Sequence, residues 1–79
     1  VKINVKLIAS YRDLLPAGTP GNTIEIQVPA GTTISEALSR FQVPLDDTSV
    51  IVLNGLTVDL NALVSEGDIV TAFSAVAGG

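Results

Sequence analysis

Hydrophobic and polar residues alternate over residues 2–8, "KINVKLI", with Ile3, Val5 and Leu7 on one side and Lys2, Asn4 and Lys6 on the other. A period of two is that of a strand with one buried face. The alternation returns in "TIEIQV", where Ile24, Ile26 and Val28 face inward and Glu25 and Gln27 outward. These two runs are expected to pair as an antiparallel hairpin. Its long connection, "ASYRDLLPAGTPGN", holds a short helical turn around Ser10 to Leu15, and then Pro16, Gly18, Pro20 and Gly21 interrupt regular structure.

The period then changes. Thr33 with Glu36 three residues on makes a capping box, and Ile34, Ala37, Leu38 and Phe41 follow at i, i+3, i+4 and i+7, one face of a helix. That face is expected to lie on the sheet, with Phe41 in the core rather than serving as a ligand-stacking ring, and Pro44 keeps the helix from running far. "SVIVLNG" reads as a third strand ending in Asn54-Gly55, the dipeptide suited to the positive φ angles of a type I′ hairpin turn. A short strand around Leu56 to Val58 should follow. In "LNALVSEGD", Leu60 and Leu63 are expected to plug the bottom of the core while Glu66-Gly67-Asp68 makes a turn, and a last strand runs from Ile69 to Phe73.

The resulting order is β-β-α-β-β-β. A right-handed crossover sets the last strand beside the first, in parallel, at the centre of a mixed sheet. The expected class is therefore α+β, a β-grasp (ubiquitin-like) fold with one main helix packed across the sheet. It forms a single domain over residues 1–79 whose tail, from residue 74 onward, is flexible and ends in Gly-Gly.

Composition narrows the chemistry. A chain of 79 residues supports one small core. It contains no Cys and no His, which removes disulfides, zinc-thiolate and imidazole metal sites, and Ser-His or Cys-His nucleophiles. Lys2, Lys6, Arg12 and Arg40 are the only basic side chains, whereas Asp46, Asp47, Asp59, Glu66 and Asp68 all follow Arg40, and the net charge is −4. Nucleic acid is a poor partner for such a surface. A basic protein partner and simple solubility both account for the acids. With no long apolar segment and no secretory pattern in view, no membrane association is expected and the location is expected to be cytoplasmic.

Few side chains invite catalysis. Asp46-Asp47 and Glu66-Gly67-Asp68 read as solvated loop and turn acids, and Ser10, Ser35, Ser39, Ser49, Ser65 and Ser74 have no base to activate them. The chain is not expected to be an enzyme alone. The sequence closes on "AVAGG", and a carboxylate on Gly79 needs no side-chain machinery: a partner that adenylates it with ATP creates a mixed anhydride open to a sulfur or nitrogen nucleophile. Gly78 and Gly79 have no Cβ, so the chain there suits a narrow tunnel. The alternative is a frayed end of small residues.

The chain resembles the MoaD/ThiS family of ubiquitin-like sulfur carriers along nearly its full length. The likeness rests on the opening strand and turn "VKLIASYRDLL", the helix start "PAGTTISEAL", the strand end Val52-Leu53-Asn54-Gly55, the turn Glu66-Gly67-Asp68 and the final Val76-Ala77-Gly78-Gly79. The resemblance implies that Gly79 bears a thiocarboxylate and Gly78 forms a flexible neck. It also implies that no cofactor is bound by this chain, that ATP and Mg are used by an adenylating partner, and that sulfur passes to a molybdopterin synthase large subunit or another acceptor synthase. The long connection from Ser10 to Gly21 matches the molybdopterin type, while Ser74 and Ala75 stand where that type often has proline. Thiamine thiazole or cysteine biosynthesis, and conjugation to proteins, remain alternatives. If Ile51, Leu53, Val70 and Ala72 face the core, Val52 and Phe73 face outward near the tail. Together with Val76 and Ala77 they are the candidate partner contacts, although Phe73 could instead be covered by the chain's own loop.

Overall fold

A computed structural model of the chain describes residues 1–75. Five strands form one mixed sheet: β1 Lys2–Leu7, β2 Thr23–Gln27, β3 Ser49–Leu53, β4 Leu56–Thr57 and β5 Ile69–Ser74, in the spatial order β2-β1-β5-β3-β4. β5 is central, parallel to β1 and antiparallel to β3, as the crossover argument requires. β1 and β2 pair antiparallel with Ile3 opposite Ile26 and Val5 opposite Ile24, so their apolar residues share the face that packs inward. The connection between them opens with a 3-10 helix, Ala9–Leu14, which drops Tyr11 into the core.

The helix α1, Ile34–Ser39, starts at the expected capping box. The Thr33 N–H donates to Glu36 Oε1 at 2.9 Å, and the Glu36 N–H donates back to Thr33 Oγ1 at 3.2 Å. Ile34, Ala37 and Leu38 are fully buried against the sheet, with Ile3, Val5, Leu7, Val70 and Ala72 facing them. Phe41 is buried too, but past the end of the helix. The Phe41 and Gln42 N–H groups reach back only three residues, and Gln42 takes φ 59°, so the chain tightens and stops before Pro44.

One core assignment needs correction. Leu60 packs at the margin of the core as expected, but Leu63 is 60% exposed, and Val64 is the residue buried there. The cause is local. Residues 62–64 run extended beside the helix start, with Ile34 N–H donating to the Ala62 carbonyl and Val64 N–H to the Thr32 carbonyl. Alternation in that bridge turns Leu63 away from Ala62 and Val64.

Candidate functional site

The outer face of the sheet is divided lengthwise. On β1 and β2 it carries Lys2, Asn4, Lys6, Thr23, Glu25 and Gln27. On β5 and β3 it carries Ile69, Phe73, Val50 and Val52, with Thr71 among them. Val70 and Ala72 are fully buried, so the pleat sends their neighbours on β5 to this opposite face. Val52 and Phe73 thus share the outer face, as alternation predicts. Their register is offset: Val50 lies opposite Phe73, and Val52 lies opposite Thr71. Phe73 is half-buried, whereas Ile69 is 46% exposed. Val50 and Ile69 complete an apolar stripe that two residues alone did not define. Alternation could have placed them there, but only the strand register says which residues meet.

Ser74, expected in the tail, is the last residue of β5 and lies opposite Ser49, and the Ala75 N–H donates to the Thr48 carbonyl at 2.7 Å. Two residues assigned to a flexible tail are therefore held, Ser74 by β3 and Ala75 by Thr48 just before that strand. Val76, Ala77, Gly78 and Gly79 lie outside the described residues.

Of the two adjacent acids near this point, Asp46 is structured rather than merely solvated. Asp46 Oδ1 accepts the Thr48 hydroxyl at 2.5 Å and the Thr48 N–H at 2.9 Å. The hydroxyl bond first, and then the N–H bond, hold the Asp46 carboxyl below its ordinary range, against a small opposing effect of burial. The signal was present in the sequence, because an Asp two residues before a Thr is a local turn former. Ser49 Oγ donates to the Pro44 carbonyl and is 2.6 Å from the hydroxyl of the buried Tyr11.

The Asn-Gly and Glu-Gly-Asp motifs lie at the other end of β5, roughly 20 Å from Ala75 at the usual strand rise. Their polar groups are occupied by one another and by backbone. Asn54 accepts the Ile69 N–H at 2.8 Å and donates to Asp68 at 3.0 Å, Asp68 accepts the Ser65 N–H at 2.7 Å, and Glu66 accepts the Lys2 N–H at 3.0 Å. These residues fasten the sheet. Among the described residues no pocket opens, and no three His, Cys, Asp or Glu side chains gather to hold a metal ion. No helix among them is long and apolar enough to cross a membrane. The arrangement offers a surface and a strand end rather than a cleft.

A five-stranded mixed sheet with a parallel central pair and one helix across it defines the β-grasp, ubiquitin-like class. The chain belongs to the ThiS family, which it matches over residues 5–79. No curated protein matches its sequence. Among solved structures, SAMP1 from Haloferax volcanii superposes with a TM-score of 0.79 at 22% identity, covering 100% of both chains. The putative molybdopterin converting factor, subunit 1, from Pyrococcus furiosus gives 0.76 at 26% identity, covering 96% of this chain and 99% of that one. A complex of subunits 1 and 2 of molybdopterin-converting factor from Helicobacter pylori contains a chain that gives 0.64 at 18% identity, with 100% of both chains covered.

Proposed function

We propose that this protein is a sulfur carrier whose reactive group is the carboxylate of Gly79, whether the chain ends there or processing exposes it. An ATP-dependent adenylating enzyme joins that carboxylate to AMP and releases pyrophosphate. A sulfide nucleophile then attacks the acyl carbon, AMP leaves, and a thiocarboxylate remains on Gly79. ATP and Mg act in the partner, and this chain supplies the substrate group and the surface that presents it. Gly78, without a Cβ, lets the partner's active site close around the chain. The observation that carries this reading is the family match itself, which runs through Gly79.

The acceptor we favour is a molybdopterin synthase large subunit. Support comes from the likeness to the Pyrococcus furiosus protein, described as a putative molybdopterin converting factor subunit. The Helicobacter pylori complex offers a matching assembly of a small chain with a second subunit. Docking on such partners, in a cytoplasmic setting, is assigned to Val52 and Phe73 on the outer stripe and to Val76 and Ala77 beyond it. A large aromatic opposite Val50, with Val52 and Ile69 further along the same face, is an apolar surface suited to burial by another protein.

Intact-mass measurement after incubation with ATP, an adenylating enzyme and a sulfide donor tests the reading. Replacement of one oxygen by sulfur at Gly79 is the expected result. Heavier species linked through lysine would instead identify a protein modifier, and no change in a protein that binds the active enzyme would reject both.

A further inference from the structure

The charges carried by the strands lie on one face of the sheet. Lys2, Lys6 and Glu25 are the charged residues of β1 to β5, and because Ile3, Val5 and Leu7 are fully buried and Ile24 and Ile26 are paired with that inward face, all three charges fall on the outer one. Of the chain's eight acids only Glu25 sits in a strand; the others stand on the helices or in connections. A chain of net charge −4 thus presents two positive charges and one negative on the face of its apolar stripe.

Lys6 borders the stripe itself. Its neighbour on β5 is Thr71, which lies between Ile69 and Phe73 and opposite Val52 on β3, so Lys6, Thr71 and Val52 form one row across the sheet. At the usual spacing of strands, the Cα of Lys6 is about 5 Å from that of Thr71 and about 10 Å from that of Val52. Glu25 is opposite Asn4 and diagonal to both lysines, yet neither ammonium forms an ion pair or a hydrogen bond among the described residues. Lys2 is farther from the stripe, because the ladder between β1 and β5 begins only at Asn4, opposite Ile69.

We propose that the adenylating enzyme covers the stripe with an apolar patch that carries an Asp or Glu at its margin, facing Lys6, and that Lys6 is a specificity-determining contact for this docking. The inference rests on the carrier reading and adds to it the sign of the partner's surface. In water an unpaired lysine is well hydrated and gains little from a carboxylate. Once burial of Val52 and Phe73 excludes water beside it, the Lys6 ammonium loses hydration, and a neutral or basic face opposite would leave that loss uncompensated. A carboxylate there offsets it and steers the approach of the two proteins. The acidic excess of the chain as a whole points to a basic partner; the distribution of charge over the sheet reverses that sign for this face.

The test measures binding of wild type, Lys6→Met, Lys6→Glu and Arg40→Glu to the adenylating enzyme by surface plasmon resonance, at about 50 mM and about 0.5 M salt. Arg40 is exposed at the end of α1, on the side of the sheet away from the stripe, and Arg40→Glu changes the net charge as much as Lys6→Glu does. At low salt, Lys6→Met is expected to raise Kd about two- to fivefold and Lys6→Glu about five- to twentyfold, mainly through slower association, and both differences should shrink below about twofold at high salt. Arg40→Glu should stay within about twofold of wild type at either salt. A Lys6→Glu protein that binds as tightly as wild type, an equal loss in Arg40→Glu, or a loss undiminished at high salt would overturn the role of Lys6. Pyrophosphate release keeps the two readings apart: a wild type that binds a competent enzyme and releases none overturns the carrier reading, whereas an active wild type matched in affinity by Lys6→Glu overturns the acidic margin alone.

Discussion

Asn54 does two separate things, and its variants can tell them apart. Its backbone takes φ 51° ahead of Gly55 at 88°, the pair of positive angles a type I′ turn requires, and its side chain joins the turn to Ile69 and Asp68. Asn54→Gly keeps the first role and loses the second, so it should cost about 1–2 kcal/mol in urea unfolding. Asn54→Ala loses both, and the left-handed backbone should add about 1 kcal/mol more. Equal losses would mean that the turn geometry contributes nothing. Thr33 and Glu36 form the other polar device. Thr33→Ala should cost about 1 kcal/mol through the lost cap. The Thr33 N–H first, and its hydroxyl second, hold the Glu36 carboxyl below its ordinary range, as Thr48 does for Asp46. Depressed folded-state values stabilise the fold above the unfolded carboxylate range, and that contribution is lost as pH falls below about 4. Thermal melts from pH 6 to pH 2 should show this decline, and Glu36→Gln with Asp46→Asn should flatten it; an unchanged slope would assign acid sensitivity to other groups.

The elements were legible from the sequence where one period dominated, and less so where two segments had to meet. The alternation of Ile3, Val5 and Leu7, and the capping box of Thr33 and Glu36, each announce an element within a few residues. Val64 and Leu63 could not be ranked that way. Their burial depends on an extended bridge to Thr33, a contact between distant segments that local pattern does not encode. Leu63→Ala should therefore change stability by less than about 0.5 kcal/mol, whereas Val64→Ala should cost about 1–3 kcal/mol; a reversed order would return Leu63 to the core. The candidate site divides in the same manner. Val52 and Phe73 are readable from alternation, but Val50 as the partner of Phe73, and Thr48 as the anchor of Ala75, follow from strand register. Phe73→Ala should leave the fold largely intact and weaken binding to the adenylating enzyme, as titration calorimetry can measure. Unchanged affinity together with a marked loss of stability would make Phe73 a structural residue.

At the scale of the whole molecule, the fold separates its tasks along the length of β5. One end holds the Asn54, Glu66 and Asp68 fastenings. The other end carries the apolar outer stripe and the bond from Ala75 to Thr48. Stability and the proposed presentation of Gly79 thus fall to different residues, and variants at the fastened end should lower the unfolding free energy while leaving turnover of the folded protein unchanged. The central claim concerns the chemistry of one backbone group. Its most direct measurement is the mass of the C-terminal peptide after reaction with ATP, an adenylating enzyme and a sulfide donor. The carrier account predicts one oxygen replaced by sulfur on Gly79 and no exchange in a protein lacking that residue. A tail that stays unchanged beside a demonstrably active partner, or that exchanges equally without Gly79, would contradict it.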